Sequence, residues 1–253
     1  MNPVLTLDHV SYSYHTPSGE TPALKDVSFS VRPGSFTSIA GPSGCGKSTL
    51  LSLIAGLIAP EKGCIRFYKS DAMPAAARIG YMLQHDTLLE WRTIYKNILL
   101  GLEVTHQCTE QKKRLAADMM HDYGLASFKN AHPSELSGGM RQRAALIRTL
   151  ALEPDLLLLD EPFSALDYQT RLTVCDDIST IIRSRKKTAV LITHDLSEAV
   201  SAADRILILT RRPGHIKDTI SITFPKEADS PLKRRNFPEF SVYFNEVWKI
   251  LKE

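Results

Sequence analysis

Three continuous apolar runs in the C-terminal half form the clearest pattern in this chain. They are Leu156–Leu159, Ala189–Ile192 and Ile206–Leu209, and none of them contains a polar residue. Runs of this kind are typical of strands that are buried on both faces of a parallel sheet. A helical pattern over about 169–184 lies between the first two runs. The pattern therefore predicts a doubly wound α/β core.

The N-terminal third of the chain predicts further strands. Short runs rich in β-branched and aromatic residues alternate there with turn residues such as Pro33 and Gly34. The predicted strands cover Val4–Leu7, Val27–Val31, Phe36–Ala40, Cys64–Phe67 and Ile79–Met82. Strands are therefore expected in both halves of the chain.

Helical patterns occupy most of the middle of the chain. One helix is predicted from Lys47 to about Leu57, and residues 93–130 are helix-rich with no convincing strand. Another strong helix is predicted over 136–152, where a Ser-Gly-Gly run opens it. We interpret residues of about 86–150 as a helical insertion into the α/β core.

The bulk composition fits a globular protein and argues against several classes of function. The chain has 253 residues, 43% hydrophobic and 23% charged, with a net charge of +3. This charge gives no reason to expect nucleic acid as a main partner. No apolar run approaches the ~18–20 residues that cross a bilayer, and no secretory signal is visible. The four cysteines stand far apart, as expected for free thiols in a reducing cytosol.

Residues 41–49 carry the pattern of a phosphate-binding loop. A glycine-rich turn lets successive backbone N–H groups point at a triphosphate, and the following helix adds its positive N-terminal end. Lys47 is expected to reach the β- and γ-phosphates, and the Ser48 hydroxyl to ligate Mg²⁺. Because Cys45 lies inside the loop, we expect its alkylation to block nucleotide binding. The residues predicted to bind nucleotide are Gly41, Pro42, Ser43, Gly44, Cys45, Gly46, Lys47, Ser48 and Thr49.

An acidic pair follows the first of the C-terminal apolar runs. Asp160 emerges where it can hold Mg²⁺, directly or through water, and Glu161 is the candidate that polarises the attacking water. An acidic surface pair that caps a helix is the alternative. His194 follows the next apolar run. Because open α/β sheets bind ligands at the carboxyl ends of their strands, these side chains and the phosphate loop are expected at one edge of the sheet.

The segment Leu136–Arg143 reads Leu-Ser-Gly-Gly-Met-Arg-Gln-Arg. Ser137–Gly139 place a hydroxyl and close-approaching amides at a helix start, which makes either an anion site or a plain helix cap. In combination with the phosphate loop, this signature segment closely resembles that of ATP-binding cassette ATPases. The resemblance covers roughly residues 4–225, which is nearly the whole chain.

The resemblance implies a particular fold and domain organisation. The fold is an α/β P-loop NTPase (RecA-like) core with an N-terminal antiparallel β subdomain and an inserted α-helical subdomain. This ATPase domain spans 1–225, and 226–253 form a short helical tail. Two such cassettes sandwich two ATP molecules, so that the phosphate loop of one chain faces the signature segment of the other. A two-fold symmetric homodimer would then supply two complete sites.

The resemblance also assigns roles to individual residues. Gln84 matches the glutamine that senses Mg²⁺ and the γ-phosphate, Asp167 belongs to the loop that crosses the dimer interface, and His194 matches the switch histidine. The ring that stacks on adenine belongs to Tyr14 or to Tyr12, which points to the same face of its strand. ATP contacts beyond the phosphate loop fall to Tyr14, Gln84, Ser137, Gly138, Gly139, Gln142, Asp160 and Asp167. Catalytic roles fall to Glu161, His194, Lys47 and Gln84, and Mg²⁺ ligation to Ser48, Gln84 and Asp160.

One segment points to a subgroup of the family. Asp86–Thr93 reads Asp-Thr-Leu-Leu-Glu-Trp-Arg-Thr and is similar to the Leu-Leu-Pro-Trp segment of nitrate/sulfonate/taurine-type importer ATPases, with Glu90 in place of proline. This resemblance implies an ATPase on the cytoplasmic face of the cell membrane. It would dock on separate permease subunits, served by a solute-binding protein, and would power uptake of a sulfonate-, nitrate-, taurine- or thiamine-precursor-like solute that it never contacts. The alternatives are an exporter ATPase, a soluble cassette ATPase acting on nucleic acid or ribosomes, and a non-catalytic nucleotide-binding regulator.

The C-terminal tail carries an apolar stripe at helical spacing. Such a helix packs either on its own domain or against a partner subunit or membrane surface, aided by Lys233–Arg235. The stripe consists of Phe237, Phe240, Phe244, Val247, Trp248 and Leu251.

Overall fold

The computed structural model describes residues 2–17, 19–68 and 77–252, so the terminal residues of the two predicted domains, Met1 and Glu253, lie outside the described residues. In this part of the chain the strands form two sheets. The strands are β1 (Leu5–Thr16), β2 (Gly19–Val31), β3 (Phe36–Ala40), β4 (Lys62–Phe67), β5 (Ile79–Met82), β6 (Leu156–Asp160), β7 (Thr188–Ile192), β8 (Arg205–Leu209) and β9 (Ile216–Ser221).

The smaller sheet is antiparallel, with strand order β2-β1-β4. The larger sheet has the order β5-β6-β7-β3-β8-β9. Its first five strands in this order run parallel, and β9 forms one edge, antiparallel to β8. The predicted α/β core with an N-terminal antiparallel β subdomain is therefore confirmed. The parallel strands bring their carboxyl ends to one edge.

The apolar runs are buried on both faces of the large sheet, as their sequence predicts. Leu157 and Leu159 of β6 face one core, whereas Leu156 and Leu158 face the other, and all four side chains have no exposed surface. The first core extends into the helical insertion, and the second includes the helix that follows the phosphate loop and the inner side of the small sheet. Since successive side chains of a strand alternate between faces, a continuous apolar run satisfies both cores at once.

Eight α-helices are described within these ranges, besides two short 3-10 helices. Thr93 and Thr109 cap the N-termini of the two helices that open the insertion, where their side chains accept backbone N–H groups of Lys96 and Lys112. The helices are α1 (Lys47–Ile54), α2 (Ile94–Val104), α3 (Glu110–Asp122), α4 (Gly138–Leu150), α5 (Tyr168–Ser184), α6 (Leu196–Ala202), α7 (Pro231–Arg234) and α8 (Pro238–Lys252). Helix α1 ends three residues earlier than predicted, since Gly56 (φ 72°) takes the left-handed conformation that ends a helix.

The structure adds elements that the sequence pattern does not predict. β9 has only two apolar residues in six, because an edge strand leaves much of its surface to solvent. β1 and β2 are also longer than predicted, since the hairpin between them projects beyond the core with mostly exposed residues. Sequence patterns of burial cannot detect strands that are not buried.

The tail helix α8 packs on its own domain. Val247 is fully buried in a cluster with Ile206 and Ile208 of β8, and Phe240 and Tyr243 pack against the same cluster. Across the described ranges, no helix combines the length and the apolar character needed to cross a membrane.

Candidate active site

The carboxyl ends of β6, β7 and β3 meet at one edge of the large sheet, where the sequence predicts the site. They border a cavity of about 520 Å³, which we call the loop cavity. The described residues that line it are Ser43, Gly44, Gly46, Lys47, Ser48, Thr49, Glu161, His194 and Arg212. The phosphate loop, the second acid and the histidine are therefore brought together, and Arg212 joins them.

The phosphate loop depends on glycines for its shape. Gly44 (φ 74°) and Gly46 (φ 105°) hold conformations that side chains with a Cβ rarely adopt. A Cβ at Gly46 would lie 2.9 Å from the Ala23 carbonyl oxygen. The backbone of the loop therefore lies tightly against β2, and its remaining face turns toward the cavity.

The Lys47 side chain arches back over the loop. Its Nζ donates to the carbonyl oxygens of Gly41 at 2.8 Å and Pro42 at 3.0 Å, and the residue is only 7% exposed. Its ammonium is thus held at the rim of the loop by neutral acceptors. A phosphate is a stronger acceptor for this charged donor, because charge-assisted hydrogen bonds are about twice as strong as neutral ones.

The side chain of Cys45 lies in the core and not in the loop cavity. Its side chain is 1% exposed and packs into the core beneath the loop with Ile39, Leu50 and Leu209. Burial raises the pKa of this thiol, and the thiolate is the reactive form. A buried thiol with a raised pKa should react slowly with an alkylating reagent, and the block of nucleotide binding by alkylation at Cys45 stays a prediction. The thiol lies 3.9 Å from Lys47 Nζ, and the described residues that line the loop cavity do not include Cys45.

Asp160 lies beside the hydroxyl of Ser48, in the first turn of α1. Ser48 Oγ donates to its Oδ1 at 3.3 Å, and Tyr81 OH donates to its Oδ2 at 3.2 Å. Burial raises the pKa of Asp160, and burial together with the Asp160 charge raises the pKa of Tyr81 to about 12. Tyr81 therefore stays a proton donor that orients the carboxylate. A hydroxyl and a carboxylate oxygen this close suit Mg²⁺, which prefers oxygen ligands and completes its shell with phosphate and water.

Glu161 and His194 form a pair across the cavity. Glu161 Oε2 lies 3.0 Å from His194 Nδ1. The Glu161 backbone has φ 46°, and its N–H donates to the Ile192 carbonyl oxygen at 2.9 Å. The end of β7 thus holds the acid in an unusual conformation that turns it into the cavity. A carboxylate oriented by an imidazole is well placed to accept a proton from water.

Gln84 contacts the neighbouring loop instead of the predicted metal ligands. Its Nε2 donates to Ser164 Oγ at 3.3 Å, and Ser164 Oγ donates to the Glu161 carbonyl oxygen at 3.0 Å. Among the described contacts, Gln84 reaches neither Ser48 nor Asp160. It is therefore joined to the acid through Ser164, and its ligation of Mg²⁺ stays a prediction.

Tyr14 and Tyr12 differ in exposure. Their rings meet edge to face with centroids 5.2 Å apart. Tyr14 is 40% exposed, and its hydroxyl lies 3.0 Å from Thr49 Oγ1, whereas Tyr12 packs against the core of the small sheet. Of the two, Tyr14 offers the more exposed ring beside the phosphate loop.

The signature segment lies apart from this cavity. Ser137 caps α4, where its side chain accepts the Met140 N–H at 3.4 Å. Ser137 and Gly139 line a separate cavity of about 290 Å³ against α5, and the described residues lining the two cavities do not overlap. Asp167 caps α5 by accepting the Thr170 N–H at 3.1 Å. One chain therefore contains both halves of the predicted site without joining them.

Gln142, which the resemblance assigns to ATP contact, is buried. It is 3% exposed on the inner side of α4. A side chain buried in its own domain has no surface to offer a nucleotide on a second chain. The prediction of a contact between Gln142 and ATP is therefore not supported by its position.

Sequence reasoning missed two residues at this edge. Glu198 is 3% exposed and accepts the Thr193 hydroxyl at 2.5 Å, directly before His194. Burial raises its pKa to about 7. Arg212 lies in the loop after β8 and lines the loop cavity. Since ligands bind at the carboxyl ends of parallel strands, the apolar run of β8 could have predicted this loop as well. Glu198 carried no comparable signal, since a glutamate one turn into a helix is usually exposed.

Comparisons with known proteins identify the family to which this chain belongs. The family model described as ABC transporter matches residues 24–164. An uncharacterized ABC transporter ATP-binding protein, YtlC of Bacillus subtilis, is 44% identical over 98% of this chain and 95% of its own length. The taurine import ATP-binding protein TauB of Yersinia pestis is 42% identical over 80% of both chains. The dimeric, post-hydrolysis structure of the ATP-binding cassette MJ0796 bound to ADP and Pi superposes with a TM-score of 0.72, at 29% identity, over 87% of this chain and 100% of that chain.

Proposed function

The chain belongs to the ABC transporter family and is an ATP-binding cassette ATPase, and from this premise we propose that it powers an importer of a small solute. The solute is of the sulfonate, nitrate or taurine type, or resembles a thiamine precursor. The similarity to TauB, whose name states taurine import, supports the direction and the class. The ATPase docks on separate permease subunits at the cytoplasmic face of the cell membrane, and a solute-binding protein delivers the solute.

The observation that carries the assembly is the separation of the two half-sites. Lys47, Glu161 and His194 border the loop cavity, which opens to solvent, whereas Ser137 and Gly139 border a different one. A second copy of the chain, related by a two-fold axis, would bring its signature segment over the loop cavity of the first. The dimeric neighbour MJ0796 supports this arrangement. We infer a homodimer that holds two nucleotides.

Each residue of the loop cavity then has a task in hydrolysis. Lys47 exchanges its two carbonyl acceptors for phosphate oxygens, and backbone N–H groups of the loop bind the others. Ser48 and Asp160 would hold Mg²⁺, which neutralises charge on the phosphates. Glu161 accepts a proton from the attacking water, and His194 at 3.0 Å holds the carboxylate in place. The N-terminal end of α4 from the partner chain stabilises the γ-phosphate.

The segment Asp86–Trp91 is placed to transmit closure to the membrane subunits. Arg141 of α4 bonds Asp86 at 2.8 Å, and Arg148 of the same helix donates to the Thr87 carbonyl oxygen at 2.9 Å. Trp91 is 76% exposed. Any shift of α4 on nucleotide binding therefore moves this segment, whose free tryptophan is available to a partner. Nucleotide binding would shift the population from open to closed dimers, and this segment would pass the change on to the partner.

The role of Glu161 is tested by Glu161→Gln. Because Gln keeps the shape but loses the proton acceptor, ATP turnover should fall by roughly 10²–10⁴-fold while ATP binding stays within a few-fold of the parent. Phosphate release and nucleotide titration measure the two effects. Glu227→Gln, at an exposed position outside the cavity, is the matched control. Parental turnover in Glu161→Gln would exclude Glu161 as the catalytic base.

The transport role is tested by capture in the native membrane. Tagged Glu161→Gln protein is trapped with Mg-ATP, solubilised gently, and its partners are identified by mass spectrometry. We expect a polytopic membrane protein in matching amount, and its loss when Lys47→Ala prevents nucleotide capture. Recovery of ribosomes or soluble partners alone would contradict the transport role and leave the ATPase role intact.

A further inference from the structure

The loop after β8 reaches the same edge of the sheet as the three loops described above. β8 runs parallel to β3, with Ala40 opposite Ile208, so its carboxyl end emerges beside the phosphate loop. The residues that follow are Thr210–His215, which we call the β8 loop, and they read Thr-Arg-Arg-Pro-Gly-His. Ligands of open α/β sheets bind where strand ends meet. The β8 loop is therefore a fourth candidate contributor to the loop cavity.

Backbone hydrogen bonds hold the β8 loop on β2, and its Gly214 lies close against the phosphate loop. Gly214 N–H donates to the Ala23 carbonyl oxygen at 2.9 Å, and the Gly214 carbonyl oxygen accepts the Lys25 N–H at 2.9 Å. A Cβ at Gly214 would collide with the carbonyl oxygen of Cys45. Thr210 Oγ1 closes the loop on itself, where it accepts the His215 N–H at 3.1 Å. Arg212 therefore projects from a fixed support.

The Arg212 side chain is exposed and lines the loop cavity together with Lys47 and His194. Within residues 2–17, 19–68 and 77–252 it makes neither a hydrogen bond nor an ion pair. Two partly buried arginines show the contrast: Arg183 pairs with Asp204 at 2.9 Å, and Arg141 pairs with Asp86 at 2.8 Å. Arg212 is thus a cation presented to a phosphate-binding cavity with its donors unused.

The charge of the cavity gives this arginine a function. Among the described lining residues, Lys47 is the other permanent cation, and Glu161 is an anion. A nucleotide polyphosphate brings several negative charges and Glu161 adds another, so that one lysine, the backbone amides and the proposed Mg²⁺ balance them only partly. The guanidinium fork matches phosphate oxygens in pairs, and arginine keeps its charge at any working pH. Arg212 therefore suits a phosphate ligand better than a neutral one.

We propose that Arg212 is a nucleotide-binding residue, which contacts the phosphates of ATP and ADP bound to the phosphate loop of its own chain. This inference rests on the nucleotide site proposed above and adds a strand-end loop to it. The β8 loop fixes the backbone from which the Arg212 side chain reaches the cavity, and the guanidinium contributes to affinity for the charged part of the nucleotide.

The test is calorimetric titration of ADP into the full-length protein at two salt concentrations. Arg212→Gln should weaken ADP binding by about tenfold and flatten its salt dependence, because one charge-assisted contact is lost. Arg212→Lys should recover part of the affinity. Arg211→Gln, at the exposed neighbouring position that does not line the cavity, should bind like the parent. All variants should melt at the parental temperature without nucleotide.

Three results separate this inference from the site on which it rests. Parental ADP binding and salt dependence in Arg212→Gln would overturn the inference, while loss of ADP binding in Lys47→Ala would show that the phosphate-loop site stands. Parental binding in Lys47→Ala would instead remove the site itself. Unchanged ADP binding, with loss of ATP-driven dimerisation in the Glu161→Gln background, would assign Arg212 to the partner chain and also overturn the inference.

Discussion

At the scale of single residues, two glutamates near the loop cavity lie in opposite environments. Glu161 is held at φ 46° by the hydrogen bond of its N–H to Ile192, a conformation that costs roughly 1–3 kcal/mol. Glu198, four residues beyond His194, is buried with an acceptor contact to Thr193. The first acid is turned toward the cavity and the second is buried beneath it. The backbone conformation of Glu161 and the burial of Glu198 both lower the stability of the folded protein.

Glu198 predicts a pH dependence of stability. Burial raises its pKa from 4.5 to about 7 in the folded protein, so the folded state keeps a proton that the unfolded chain has already released. Stability therefore falls as pH rises from about 4.5 to about 7. Glu198→Gln removes the titrating group. Between pH 4.5 and pH 8, the free energy of unfolding should therefore fall by about 3 kcal/mol less in this variant than in the parent.

Urea unfolding at a series of pH values measures this difference. Glu227→Gln removes an exposed carboxyl group and should reproduce the parental pH profile. If the profile of Glu198→Gln runs parallel to that of the parent, the pKa of Glu198 is not raised in the folded state.

At the scale of elements, the helical insertion is joined to the sheet by close packing rather than by a linker. α4 lies across β5 so tightly that a Cβ at Gly80 would stand 2.5 Å from Thr149 Cγ2 and 3.0 Å from Pro154 Cγ. Thr149 is 6% exposed and its hydroxyl donates to the Ala145 carbonyl oxygen, so it has little freedom to move aside. The glycine sets the distance between helix and strand.

Gly80→Ala should therefore destabilise the protein by about 1–3 kcal/mol through overpacking. Gly101→Ala is the matched control, since Gly101 lies in α2 and its added methyl would meet only the flexible end of Leu152 at 3.0 Å. There, improved helix propensity should leave stability between neutral and about 1 kcal/mol higher. Denaturant midpoints compare the two, and equal effects would show that the α4–β5 contact is not tight.

The tail helix α8 is a second element whose role depends on packing. Val247 is fully buried on β8, whereas Val242 on the same helix is 63% exposed. Val247→Ala should cost about 1.5–3 kcal/mol from lost burial and the remaining cavity, and Val242→Ala should stay within about 0.5 kcal/mol. Both changes improve helix propensity equally, so the difference in unfolding free energy reports packing alone. A neutral Val247→Ala would mean that α8 is detached in solution.

At the scale of the whole molecule, the separation of the two cavities predicts that ATP hydrolysis requires the assembly of two chains. Ser137→Asp tests this, because Asp is an equally good helix cap but places a negative charge where the γ-phosphate of a partner's ATP would lie. Nucleotide affinity should stay within a few-fold of the parent, whereas ATP turnover and ATP-driven dimerisation should be lost. Light scattering with and without Mg-ATP measures the dimer.

Ser230→Asp is the control for that substitution. Ser230 caps α7 through the same contact with a backbone N–H and is assigned to neither cavity. It should dimerise and turn over ATP like the parent. Retention of dimerisation by Ser137→Asp would contradict the sandwich arrangement, and loss of ADP binding would place the signature segment in the site of its own chain.

The phosphate loop, the buried strands and the positions of the candidate catalytic acids follow from the sequence by itself. Each depends on a few neighbouring residues: glycines that allow a loop to close around an anion, an unbroken apolar run that two cores require, and polar residues directly after that run. The doubly wound core was predictable for the same reason, since burial on both faces leaves a pattern in every strand.

Only the tertiary structure decided which side chains of these segments reach the cavity. The thiol of Cys45 faces the core while its neighbour Lys47 faces the loop, Gln84 turns to Ser164, and Gln142 is buried. Arg212 reaches the site because β8 lies next to β3, although about 165 residues of chain separate it from Lys47. Strand order and side-chain direction arise from contacts between distant segments, and a local pattern carries no information about them.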